Sequence, residues 1–267
     1  MRRKRWTWTA VDHDGVTLSV RSSGPDDGRR TVVLLTGLGA PQQVWDRVAS
    51  RLVGDYRVVT FDYRGHARSG PAGSHTFDDF LGDVSAVLRA TAGGRPILCG
   101  WSLGADLAVW HAARAPETCA GIVALDGAIP TEPVDPDDDD DAWAGRRMNG
   151  VVARIGEWIS RKMKMDVRVP VEQLLHLGRE VDRRREHVLD AYAALSCPVA
   201  VALGERPGPA PDPQAAHARW RAGGDRLAAA LPHVPVTWLD SDHAIPVRRP
   251  GQVAELVTRV AVQARSR

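Results

Sequence analysis

Lysine is almost missing from this chain: Lys4, Lys162 and Lys164 are the only three, so arginine carries nearly all of the positive charge. With 35 Lys plus Arg against 33 Asp plus Glu, the formal net charge is +2. That near balance argues against the basic surface of a dedicated nucleic-acid binder. Cysteine is scarce too. Cys99, Cys119 and Cys197 each sit at or beside an apolar strand-like run, and no pair has metal-ligand spacing. They read as buried free thiols in a reducing compartment, which makes the cytoplasm the expected location. No apolar run approaches the ~18–20 residues that a membrane span needs, so no membrane partner is expected. The basic opening Met1-Arg2-Arg3-Lys4-Arg5 is followed by Trp6-Thr7-Trp8-Thr9 rather than by an apolar core and a small-residue cleavage site, and reads as a solvated terminus, not a signal peptide. Internal repeats and long disordered tracts are also missing.

The 267 residues, 43% of them hydrophobic, suit one large α/β domain with an insertion. Trp6–Val11 and Val16–Ser23 alternate as strands around Asp12-His13-Asp14-Gly15, which predicts a hairpin. Thr31–Leu35, Tyr56–Phe61, Pro96–Trp101 and Ile122–Leu125 are short continuous apolar runs of the kind found in central parallel strands. Helical periodicity fills the intervals at Gln43–Val53, Phe77–Thr91 and on to Arg114. Strands alternating with helices at this spacing mean βαβ crossovers and a mainly parallel sheet.

The rhythm breaks between Ile129 and Ser196. An acidic loop, Asp135 to Asp141, reads as solvated rather than as a cation site. Helical patterns follow through Met148, Val151, Ile155, Trp158 and Met163, then through Val171 to Leu195 with a break expected near Gly178. A basic amphipathic helix can lie on a membrane, but one packed by its apolar face over the end of the sheet is the simpler reading. The sheet pattern resumes at Pro198–Gly204 and Val236–Leu239, with helices around Ala216–Leu231 and Gln252–Ala264.

The chemistry centres on Gly100-Trp101-Ser102-Leu103-Gly104, a G-x-S-x-G turn between a strand and a helix. A serine exposed at the tip of a strand must take a strained conformation that crowds neighbouring turns, and glycines two positions to either side remove the colliding Cβ atoms. The following helix aims its first N–H groups at the same spot. Three further motifs keep order with it: Gly37-x-Gly39 followed by Trp45, Asp62-x-Arg64-Gly65-His66-x-Arg68-Ser69, and His243-Ala244-Ile245-Pro246.

Together these motifs resemble the α/β-hydrolase fold superfamily, in its capped, serine esterase- and lipase-like form, over nearly the whole chain. The resemblance implies a mostly parallel eight-stranded sheet flanked by helices, with residues 1–128 and 197–267 as the core and residues 129–196 as a helical cap or lid. It implies Ser102 as nucleophile, His243 as the catalytic base, and the backbone N–H groups of Leu38 and Leu103 as the oxyanion hole. In the commonest pattern a histidine precedes the oxyanion-loop glycine, where this chain has Thr36. His66 competes for the role of base, but its motif matches a structural turn of the fold. Asp62 and Asp106 read as structural carboxylates.

The triad acid departs from the usual pattern. The family's Gly-x-x-Asp turn reads Gly204-Glu205-Arg206-Pro207 here, so a proline occupies the expected carboxylate position. Asp126, at the end of the strand after the nucleophile helix, is one replacement, since some members of the fold place their acid there. Glu205 is a second, and a triad without an acid is a third. Trp101, Trp143, Met148 and Trp158 are candidate pocket residues, which core packing would also explain.

The expected activity is a serine hydrolase cleaving an ester, thioester or lactone of a small, mostly apolar substrate through an acyl-enzyme, with no metal and no organic cofactor. C–C hydrolysis, lyase, acyl-transfer or ring-closing chemistry on the same triad is a second reading, and a non-catalytic ligand-binding or scaffold protein a third. The sequence is silent on oligomeric state.

Overall fold

A computed structural model describes residues 6–28, 30–133, 167–208 and 212–265. The chain opens with β1 (Thr7–His13) and β2 (Val16–Ser23), an antiparallel hairpin closed by Asp14 and Gly15. Both turn residues have positive φ, 48° and 74°, the geometry of a two-residue turn that matches strand twist.

From there strands and helices alternate. β3 (Thr31–Leu35) leads to a 3-10 turn, Gln42–Trp45, and α1 (Asp46–Leu52). β4 (Arg57–Phe61) leads to α2 (Phe77–Thr91), whose start is fixed by a capping box between Thr76 and Asp79. β5 (Ile97–Trp101), α3 (Leu103–Arg114) and β6 (Gly121–Leu125) follow. β7 is Val199–Gly204 and β8 is Val236–Leu239. The eight strands form one sheet in the order β1-β2-β4-β3-β5-β6-β7-β8, parallel from β4 to β8 and antiparallel at the β1 and β2 edge. β3, β5 and β6 are buried along their whole length because helices cover both faces. One core packs the sheet against α2 and α3 through Phe77, Phe80, Leu107 and Val109. The other packs it against α1 and the C-terminal helix through Trp45, Val48, Val253 and Val257.

Between β6 and β7 the described chain forms α4 (Val171–Glu186) and α5 (Val188–Ala193). The break expected near Gly178 is not there. α4 runs through that residue and ends at His187. A mid-helix glycine costs only about 1 kcal/mol relative to alanine, and burial of Leu177 and Val181 on either side offsets it. The helical pattern through Met148 and Met163 lies outside the described residues, as do the acidic loop and the basic N-terminus. α6 (Pro213–Ala230) separates β7 from β8, and α7 (Ile245–Arg248) and α8 (Pro250–Gln263) close the fold. Among the described residues no helix is long and apolar enough to cross a membrane.

The order of the strands places the chemistry. β5 lies between β3 and β6, and β6 between β5 and β7. The carboxyl ends of β3, β5, β6 and β7 therefore come together, which is where open α/β sheets bind ligands.

Candidate active site

Ser102 stands between β5 and α3 with φ 55° and ψ −123°, a strained conformation for a side-chain-bearing residue. The crowding predicted around it is present. A Cβ on Gly100 would lie 1.9 Å from the Gly104 carbonyl oxygen, and one on Gly104 would lie 2.3 Å from that of Leu35. The turn is pinned by Ser102 N–H, which donates to the Leu125 carbonyl at 2.9 Å. Ser102 opens into a cavity of about 310 Å³, with Leu38 and Leu103 in its wall. Leu103 is the first residue of α3, so its N–H has no acceptor within the helix.

His243 lies beyond β8. Its Nδ1 is 2.6 Å from Asp126 Oδ2, at the end of β6. Asp126 Oδ1 accepts two more hydrogen bonds, from Gly204 N–H at 2.9 Å and from the Trp220 indole at 3.0 Å. Burial alone would raise the Asp126 carboxyl pKa. The hydrogen bond and charge of His243, with the Gly204 and Trp220 donors, more than offset burial and hold it below the ordinary value. An ionised carboxylate only accepts, so Nδ1 of His243 donates the proton of that hydrogen bond, and Nε2 is the ring nitrogen turned away from Asp126. Glu205 is exposed, and it is Asp126, not Glu205, that bonds the His243 ring. Among the described residues Ser102 Oγ makes no hydrogen bond, to His243 or to any other group. Free enzymes often tighten that contact only around substrate.

Asp126 and Ala128 both hold positive φ, 45° and 52°, around Gly127. A Cβ on Gly127 would lie 2.3 Å from the Ser102 carbonyl oxygen, so the acid turn packs directly beneath the elbow.

The loop after β3 is braced without a histidine at position 36. His66, 1% exposed, fills that role: its Nε2 accepts from Gly39 N–H at 3.1 Å. Its Nδ1–H donates to the Arg64 carbonyl at 2.7 Å. Burial pushes its pKa down to about 4, keeping the ring neutral as this pair of bonds requires. The Tyr63 hydroxyl donates to the Thr36 carbonyl at 3.0 Å.

Trp101 is a correction. It is 3% exposed and is not in the cavity wall; its indole N–H donates to the His243 carbonyl at 2.6 Å, and the two rings lie 5.3 Å apart. An indole buried beside a loop backbone finds its hydrogen-bond partner there. Trp143, Met148 and Trp158 lie outside the described residues. The described apolar wall comes instead from Ile129, Leu174, Leu177 and Val181. Asp62 accepts from the Gln42 backbone and side chain at 2.9 and 2.8 Å. Asp106 holds Arg185 of α4 through both its oxygens, at 2.9 and 2.7 Å, and accepts Ala128 N–H at 3.1 Å. Both carboxylates are fully engaged in structure. Among the described residues no cluster of metal-binding side chains forms.

Trp220 and the Gly204 N–H are the contacts to Asp126 that motif reading missed. Trp220 lies on an amphipathic helix with no local signature. Gly204 could have been found: it opens the very turn whose usual aspartate is missing.

The alpha/beta hydrolase fold family matches residues 30–151, a stretch that includes Ser102 and Asp126. A 3-oxoadipate enol-lactonase of Acinetobacter baylyi is 33% identical over 100 residues, 38% of this chain and 37% of that protein. A pimeloyl-[acyl-carrier protein] methyl ester esterase of Sodalis glossinidius is 30% identical over 162 residues, 61% of this chain and 56% of that protein. The chain thus spans about half, or less, of the length of the curated relatives it matches. Over nearly the whole chain it is similar to the solved enol-lactonase of Burkholderia xenovorans, with a TM-score of 0.70 at 20% identity, covering 96% of this chain and 100% of that one.

Proposed function

We propose that this chain, which has the α/β-hydrolase fold and belongs to that superfamily, is a serine hydrolase that cleaves a carboxylic ester, thioester or lactone through an acyl-enzyme. The observation that carries the reading is the 2.6 Å hydrogen bond between Asp126 and His243 at the sheet end where the strained Ser102 turn stands. In this mechanism Nε2 of His243 takes the Ser102 proton as Oγ attacks the acyl carbon. The N–H groups of Leu38 and Leu103 receive the oxyanion. His243 then gives its proton to the leaving oxygen or sulfur, and the acyl group stays on Ser102. A water repeats the sequence: His243 takes its proton, the acid departs, and the proton returns to Ser102. Asp126 holds the imidazole in the productive tautomer and stabilises it when protonated.

Two curated relatives bear names, a lactonase and a methyl ester esterase, that fit acyl–oxygen cleavage. The helices between β6 and β7 serve in this reading as a cap over Ser102, with residues 1–128 and 197–267 as the core. The substrate is a small molecule whose acyl part meets the apolar wall. The three buried free cysteines suit a reducing compartment such as the cytoplasm.

A fluorophosphonate probe tests the reading. Labelling of the wild-type protein, its loss in Ser102→Ala, and turnover of p-nitrophenyl esters are expected. Absence of labelling would favour a binding protein, and labelling without ester turnover a non-hydrolytic enzyme.

A further inference from the structure

Three arginines line the cavity beside Ser102, and their situations differ. Arg185 is fully engaged. Its Nε and Nη2 hold Asp106, and its Nη1 lies 3.7 Å from Asp182. Arg219 and Arg226 come from α6, two turns apart with Ala222 between them, so one face of that helix turns both toward the cavity. Arg226 donates from Nη2 to the Pro130 carbonyl at 2.9 Å, a neutral acceptor that orients the guanidinium without cancelling its charge. Arg219 has no hydrogen-bond or ion-pair partner among the described residues. Glu132 and Asp182, the carboxylates on the same wall, each have partners of their own. Both arginines are exposed, so they stand at the rim, while much of the remaining wall is apolar. An acyl chain suits that wall. Two guanidinium groups on one helix face with no carboxylate partner among the described residues suit an anion, which they bind by charge-assisted hydrogen bonds. α6 also carries Trp220, the residue that donates to Asp126, so the anion would be seated on the helix that steadies the acid.

We propose, resting on the acyl-hydrolase reading above, that the substrates carry a second, anionic group, which Arg219 and Arg226 receive at the rim of the cavity. A carboxylate on the acyl chain and a phosphate on the leaving group both supply that chemistry.

Two matched pairs of substrates separate the sources. Mono-p-nitrophenyl adipate against p-nitrophenyl hexanoate tests a carboxylate. Hexanoyl-coenzyme A against the N-acetylcysteamine thioester of hexanoate tests a phosphate. The expected result is a kcat/KM about 10-fold higher for the anionic member of at least one pair. That ratio falls to near unity in Arg219→Gln/Arg226→Gln and is partly kept in Arg219→Lys/Arg226→Lys. Equal kcat/KM within both pairs, or a preference that survives the glutamine variant, overturns the proposal. If the wild-type protein cleaves none of the four, the hydrolase reading has failed and calorimetry decides the anion site on its own. Adipate or coenzyme A binding about 10-fold tighter to wild type than to the glutamine variant then supports it, and equal or undetectable binding overturns it.

Discussion

The indole nitrogen of Trp220 donates to Oδ1 of Asp126 at 3.0 Å, on the opposite side of the carboxylate from His243. Burial works against the charge on Asp126, and this donor is one of three groups that keep it ionised. Trp220→Phe removes the donor and keeps most of the ring. Loss of one hydrogen bond to a charged group is worth roughly 1.5–3 kcal/mol, so kcat is expected to fall at least about 10-fold. Unchanged turnover would mean that Gly204 N–H and His243 suffice.

His66 makes stability depend on pH. Its folded pKa of about 4 lies below the ordinary value of 6.5, and that of His111, also lowered by burial, is about 4. As pH falls below 6.5, the unfolded chain takes up protons that the folded chain refuses. Stability is therefore full above about 6.5 and is lost progressively toward 4, by on the order of 2 kcal/mol per histidine between pH 7 and pH 5. The depressed Asp126 carboxyl has the opposite history: its contribution is present above the ordinary carboxylate range and is lost only as pH falls through the lower folded value, outside this window. Denaturant midpoints at pH 7 and pH 5 measure the effect. His66→Gln, whose amide oxygen can still accept from Gly39, is expected to flatten the slope.

Gly100→Ala is expected to abolish folding, because the new Cβ would meet the Gly104 carbonyl oxygen at 1.9 Å with no flexible side chain to give way. A cost beyond about 4 kcal/mol is the relevant scale. Gly54→Ala, with nothing within 4 Å, should leave the melting temperature within a few degrees of wild type and serves as the control.

Asp106 and Arg185 join α3 to α4 through a nearly buried, two-pronged ion pair. Burial raises the Asp106 pKa despite the guanidinium beside it. Arg185→Met would leave an uncompensated carboxylate and is expected to cost roughly 3–5 kcal/mol in urea unfolding, whereas Arg185→Met/Asp106→Leu should recover much of that loss. Because Asp106 also holds Ala128 N–H, two residues from Asp126, kcat should fall in the double variant, which loses that bond.

Much of this layout was legible in the sequence, and the parts that were not share a cause. Thr31–Leu35, Phe77–Thr91 and Val236–Leu239 were readable to the residue, since continuous apolar runs and a clear helical stripe are local signals. The elbow was readable because its glycines answer a local steric demand. The partner of His243 was not, because the choice between Asp126 and Glu205 depends on β6 lying between β5 and β7 in the sheet. No residue spacing encodes that neighbour relation. The brace on Gly39 was hidden in the same way: Thr36 suggested a missing support, while His66 supplies it from the loop after a different strand.

The central claim is that Asp126 serves His243 in place of the aspartate that Pro207 displaces. Measuring kcat for Asp126→Asn and Glu205→Gln on one p-nitrophenyl ester tests it most directly. The account predicts a loss of about 10³–10⁴-fold for Asp126→Asn, as wrong-tautomer variants of a triad show, and a nearly wild-type rate for Glu205→Gln. Near-wild-type turnover in Asp126→Asn would contradict it.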